Sequence, residues 1–166
     1  CIVKFATQAG DDAAFSLDAV TTLTDRIQSL DTDGFSIGAD ADVNTAGLRY
    51  HVLCLKETAG ICEVLTYTGN ATDNRSITAA GFQPDFVLVK GTAAEIAYHR
   101  FEDQGAGNSS SMSGADAADF IQAFEADGFQ IGSGAAVGVN TNTVVYHALC
   151  LLEGESAASL SIDLVN

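Results

Sequence analysis

The chain has 166 residues, 47% of them hydrophobic, with 7 basic against 22 acidic side chains and a formal net charge of −15. Length and apolar content together exclude disorder and give one domain, or two small ones, whose core needs no staple. The acidic balance repels phosphate backbones and anionic lipid head groups, so nucleic acid and membrane are not expected as partners, and it favours solubility at high local density.

In chain order, 2–4 (IVK) is a short apolar start. Segment 17–30 has a loose spacing that allows one short helix, and 33–57 opens on DGFSIG and closes on YHVLCLKE. Residues 62–68 read as a strand feeding a turn at 69–74. The segments 86–90 (FVLVK), 95–101 (EIAYHRF), 129–132 (FQIG) and 143–152 (TVVYHALCLL) are further strands, rich in Val, Ile, Phe, Tyr and Thr and bounded by Gly, Asn, Asp and Ser. Residues 103–114 are a polar, Gly- and Ser-rich insertion. Segment 115–126 allows a second short helix, with Asp119, Ile121 and Phe124 spaced near 3.6. The Gly- and Asn-rich loop 132–142 is expected to join its flanking strands as a hairpin. Segment 159–165 alternates like a strand. No apolar run approaches the roughly 20 residues that span a bilayer, and no secretory-leader pattern opens the chain.

Two of these stretches are copies of each other. DGFSIGADADVNTAGLRYHVLCLKE (33–57) matches DGFQIGSGAAVGVNTNTVVYHALCLLE (127–153) in the DGF-x-IG opening, the VNT turn and the YH-x-LC-L-x-E close. Upstream, Ile27, Gln28 and Leu30 match Ile121, Gln122 and Phe124, and Ile2-Val3-Lys4 matches Leu88-Val89-Lys90. The reading is an all-β protein of two tandem, duplicated, small sandwich-like modules: 1–58, a partial first copy, and 59–158, the second. The core is expected from Phe35, Ile37, Tyr50, Leu53 and Leu55 in the first copy and from Phe129, Ile131, Tyr146, Leu149 and Leu151 in the second. The closing strand is apolar on both faces, Tyr50, Val52 and Cys54 against His51, Leu53 and Leu55, which requires cover on both sides. Nothing like 62–68 precedes the first copy. An uncovered strand edge is an aggregation hazard, so 159–166 is expected to complete either its own first module or that of a neighbouring subunit.

The chemistry-bearing residues offer little. His51 and His147 occupy equivalent positions in the duplicated strand, which points to a structural imidazole in or near a core. His99 stands alone. His51 with Cys54, and His147 with Cys150, are three apart on a strand and face opposite ways, which defeats joint coordination. Cys54 and Cys150 sit in apolar segments and are expected to be small buried hydrophobes; Cys1 and Cys62 complete no metal spacing. Asp40-x-Asp42-x-Asn44 resembles the front of a Ca²⁺ loop but lacks the distal Glu, and the second copy has 133–136 (SGAA) instead, so a solvated loop is the better account. No nucleophile elbow, P-loop, zinc-protease or dinucleotide motif is present. Catalytic, cofactor and metal residues are therefore all expected to be none.

The strings YTGNATDNRSI (67–77), GFQPDFVLVK (81–90), DGFQIG (127–132) and VNTNTVVYHALCL (139–151) resemble a repeat of structural proteins of tailed bacteriophages, over 62–153 and, in part, 2–57. The resemblance implies a non-enzymatic virion surface component, such as a capsid decoration, head-fibre or tail-associated protein. Its partners would be copies of itself and other virion proteins such as the major capsid protein. The expected contact loops are 105–114, 39–47 and 133–142. A host-glycan adhesin module and a virion glycan hydrolase are the alternatives.

Overall fold

Period-2 apolar patterning underlies the longer strands, Cys62–Thr68, Phe86–Gly91 and Val145–Leu151. The computed structural model describes residues 1–8, 10, 12–114, 116–133 and 138–153. They form β1 (Ile2–Val3), β2 (Phe15–Ser16), β3 (Ile27–Asp31), β4 (Gly34–Ile37), α1 (Ala41–Asn44), β5 (Cys62–Thr68), β6 (Arg75–Thr78), β7 (Phe86–Gly91), β8 (Tyr98–Phe101), β9 (Asn108–Ser111), β10 (Asp116–Ala118), β11 (Ile121–Glu125), β12 (Gly128–Ile131) and β13 (Val145–Leu151). The fold is all-β, and α1 is a single four-residue turn.

The second copy has two layers. A six-stranded sheet in the order β10-β9-β8-β7-β13-β5 faces a three-stranded sheet in the order β11-β12-β6. β13 is central, antiparallel to β5 on one side (Tyr146 opposite Tyr67) and to β7 on the other (Ala148 opposite Val89). Alternation then sends Tyr146, Ala148 and Cys150 inward with Leu65, Tyr67, Val87 and Val89. There they meet Ile77, Ile121, Phe129 and Ile131 of the smaller sheet in one core. At about 25 cal/mol per Å² of apolar surface, this cluster is the main source of stability.

The first copy is built differently. β3 and β4 form a hairpin by themselves, and β1 pairs only with β2. Residues 17–20 lie against the second copy: the Ala97 amide donates to the Leu17 carbonyl (2.9 Å), and Lys90 Nζ donates to the carbonyls of Asp18 and Val20 (3.2 and 3.3 Å).

Four expectations are corrected. Neither 17–30 nor 115–126 is helical among the described residues; they hold β3 and β10–β11. In β11 a register shift between Ile121 and Ala123 inserts an extra residue, so Ile121 and Phe124, three apart, both reach the core. A β-bulge thus imitates helical spacing, and β3 carries the same shift between Ile27 and Ser29. The loop 132–142 is no hairpin turn, because β12 and β13 belong to different sheets; it crosses between the layers. Finally, among the described residues the first-copy core does not form: Ile37, Tyr50, Leu53 and Leu55 are exposed and Phe35 is half-buried, since those residues supply no second layer. In the second copy Phe129, Ile131 and Tyr146 are fully buried, while Leu149 and Leu151 are half-buried on the opposite face of the sheet. The proposed closing segment 159–166 lies outside the described residues.

Candidate functional site

The larger sheet has an outer face, and its two ends differ. On β13 the odd residues His147, Leu149 and Leu151 point outward, beside Lys90, Leu88 and Phe86 of β7 and Thr66, Val64 and Cys62 of β5. β8 adds His99 opposite Leu88 and Phe101 opposite Phe86. At the first end the N-terminal segment covers this face. Phe5 stacks on the His147 ring at 5.6 Å between centroids, Phe15 lies at 5.4 Å, and Thr7 Oγ1 is 2.8 Å from His147 Nδ1. Burial lowers the His147 pKa. A cleft of about 240 Å³ remains there, lined by Thr7, Gln8, Phe15, Thr22, Thr66 and Val145 among others.

Lys90 is fully buried at this end. Its ammonium donates to the carbonyls of Asp18, Val20, Ala93 and Glu95. Burial lowers its pKa, and Glu95 and then Asp18 oppose that shift. The Glu95 carboxylate in turn accepts the Tyr146 hydroxyl at 2.7 Å, and the Tyr146 oxygen accepts the Thr141 amide at 2.9 Å. Burial, first of all, raises the Tyr146 pKa. Closed on backbone carbonyls and on each other, these groups tie loop 92–97 and the N-terminal segment to the sheet; the arrangement is that of a buried network, with its donors committed.

At the other end the outer face is open. Phe86 and Phe101 are 4.8 Å apart, His99 lies 5.4 Å from Phe101 in an edge-on arrangement, and Phe101 is 47% exposed. Half-buried Val64, Leu88, Leu149 and Leu151 continue the surface. His99 Nδ1 is buried without a hydrogen-bond partner, and burial lowers the pKa of this ring against an opposing pull from Asp116. Two aromatic rings, one imidazole and four aliphatic side chains thus form a contiguous apolar surface on a rigid sheet.

The residues singled out in the sequence are scattered. His147 is the structural imidazole expected, but its counterpart His51 is exposed and lies in no core. Cys150 is buried, and burial pushes its thiol up to about 12. Cys54, expected to be buried, is exposed instead, because the described residues put no covering layer over its segment; all four cysteines are free. Asp40 caps α1 by accepting the Asp42 amide (2.9 Å), and both carboxylates face Arg26, at 3.3 and 2.8 Å. Asn44 Nδ2 donates to the Gly38 carbonyl. These oxygens are spoken for by the loop itself. Among the described residues no group of three His, Cys, Asp or Glu is placed to hold a metal, and no helix is long and apolar enough to cross a membrane.

The expected contact loops also resolve. Residues 105–114 contain β9, which pairs with β8 and β10 and extends the sheet rather than standing free. Loop 39–47 carries α1 and is mainly exposed. In 133–142, of which 134–137 are outside the described residues, Val139 and Asn140 are buried: the Val139 carbonyl accepts the Tyr67 hydroxyl (2.8 Å), and Asn140 Nδ2 donates to the carbonyls of Thr72 and Gly132. That part of the loop is a core strap, not a contact surface. Sequence reasoning missed the Phe86–His99–Phe101 surface; the signal was the apolar character of both faces of 86–90.

Residues 57–163 match the family model described as a domain of unknown function, DUF7483. The match spans more than half the chain, and the chain belongs to that family. No curated protein and no solved structure matches it.

Proposed function

We propose that this chain is a non-enzymatic structural component of a tailed-bacteriophage virion, of the decoration, head-fibre or tail-associated kind, assembled in many copies. The observation that carries the reading is the open end of the sheet. A rigid β surface presents an exposed Phe101 beside half-buried Phe86, His99, Leu88, Leu149 and Leu151, and a contiguous apolar patch that reaches solvent marks a protein contact. The N-terminal segment already uses the other end of the same face for such a contact within the chain. Resemblance to tailed-phage repeats and the acidic charge, which keeps unassembled copies soluble, support the same reading. The docking partner is another virion protein or another copy of this chain.

Tryptic peptides of the chain in purified virions, together with loss of the chain from particles when Phe101→Glu is introduced, are the expected results. Absence from particles, or unchanged incorporation of the Phe101→Glu protein, would count against the proposal. Cleavage of a host polysaccharide by the purified chain would replace it with the hydrolase alternative.

A further inference from the structure

The two copies agree in atomic detail up to the start of the closing strand and then part. Gly38 N–H donates to the Arg26 carbonyl as Gly132 N–H does to that of Phe120. Gln28 donates to Asp25 as Gln122 does to Asp119, and both aspartates have positive φ, 58° and 69°. A Cβ at Gly38 or Gly132 would lie within 2.3 Å of Asp25 or Asp119 atoms, so each hairpin demands glycine there. Asn44 binds the Gly38 carbonyl as Asn140 binds that of Gly132. The Thr45 amide donates to the Tyr50 hydroxyl at 2.9 Å, as Thr141 does to Tyr146 at 2.9 Å. From Tyr146 the chain enters the sheet between β5 and β7; from Tyr50 it runs without strand pairing through 55 among the described residues.

We infer that strand 50–55 is closed by the chain's own C-terminal segment 159–165, which pairs with it antiparallel in the place that β5 takes beside β13. Three observations carry this. First, the described residues that border the two segments meet at one corner. The Leu152 amide donates to the Ile61 carbonyl (2.9 Å), and Thr58 pairs with Cys62 at the foot of β5. Leu55 is three residues from Thr58, at most about 11 Å, while the spacer 154–158 reaches about 17 Å when extended. Second, the patterns are complementary. Tyr50, Val52 and Cys54 fall opposite Leu164, Ile162 and Leu160 on one face, and His51, Leu53 and Leu55 fall opposite Asp163, Ser161 and Ser159 on the other, as His147 is opposite Thr66. Third, charge agrees: Arg49 and Lys56 flank the exposed segment 50–55, whereas 154–166 carries Glu155 and Asp163 and no cation. A short tether gives the attached segment an effective concentration in the millimolar range, which favours it over the same segment of a second chain.

The test uses the full chain with Cys1→Ser, so that Cys54 is the exposed thiol. With Leu160→Cys added, mild oxidation at micromolar protein is expected to remove both thiols in most molecules, as a disulfide within one chain between Cys54 and the introduced thiol, antiparallel partners being close enough for the bond. With Ser161→Cys, which faces the other way, the thiols are expected to persist. Equal reactivity of the two positions, or a disulfide found between chains, overturns the inference; the second result makes a neighbouring copy the occupant. Amide exchange gives an independent reading: 50–55 is slow in the full chain and becomes fast in a chain ending at 158 while β5 and β13 keep their protection. Fast exchange at 50–55 in the full chain overturns it as well. None of these outcomes bears on the virion reading, which rests on the aromatic face of the larger sheet.

Discussion

Residues 146–151 (YHALCL) and 50–55 (YHVLCL) differ at one position, Ala148 against Val52, yet Tyr146 is fully buried and its counterpart Tyr50 is 40% exposed. The contrast separates what a strand sequence carries from what its surroundings supply. Both stretches have the two-sided apolar pattern of a central strand, and both are anchored at the leading tyrosine by an equivalent threonine amide, Thr45 or Thr141. β13 has β5 and β7 at its edges and a second sheet over its inner face; the described residues give 50–55 none of these. Strand propensity measures fit to neighbours more than an intrinsic backbone preference, and here the same six-residue pattern yields opposite exposures.

The largest test of that contrast pairs two isoleucines. Ile131→Ala empties a fully buried site and is expected to cost about 2–5 kcal/mol in urea unfolding, while Ile37→Ala, at the equivalent but exposed position, costs within about 0.5 kcal/mol. Comparable losses would mean that the first copy has a core of its own. Next are the two lysines. Lys90→Met strands several buried carbonyls and is expected to cost about 1–3 kcal/mol. Lys4, which binds the Gly10 and Ala13 carbonyls nearer the surface, is expected to cost less when changed to Met, as thermal denaturation would register.

Smaller effects sharpen the points where the copies agree. Asp25→Ala and Asp119→Ala each remove a local side-chain acceptor and place alanine at positive φ. Each is expected to cost about 1 kcal/mol, and a clear difference in unfolding midpoint between them would deny the equivalence of the hairpins. The smallest effect is on pH dependence. The His147 pKa in the folded chain is held below the ordinary 6.5 by burial, so between these values the unfolded chain binds more protons and stability falls as pH falls through that window. In His147→Gln this contribution to the slope of melting temperature against pH is expected to vanish, leaving that of His99, whose pKa burial also lowers. An unchanged slope would show that the Phe5–Phe15 cover does not keep this imidazole dry.

Much of the architecture was legible because period-2 alternation and the repeat are local signals. The strands at 62–68 and 86–90 and the correspondence of His51 with His147 were read directly. The bulge in β11 misled, since one inserted residue turns a two-residue period into an apparent three-residue one. The edge hairpin β9–β10 escaped because its residues are polar and small, and it is a strand pair by pairing alone; β6 escaped because it is only four residues long with a single core side chain, Ile77. The aromatic surface escaped for a related reason: Phe86, His99 and Phe101 meet only after β7 and β8 pair, and nothing in either segment states its partner.

By itself the amino-acid sequence determined that the chain is all-β, that a hairpin-and-strand unit occurs twice, and that the closing strand is apolar on both sides. These follow from side-chain direction along an extended backbone, which every residue obeys wherever it sits. Only the tertiary structure decided which copy obtains a second layer, where the N-terminal segment docks, and which end of the sheet stays open. Each of those depends on hydrogen-bonded edges and contacts between residues far apart in the chain, and identical six-residue patterns cannot encode different neighbours.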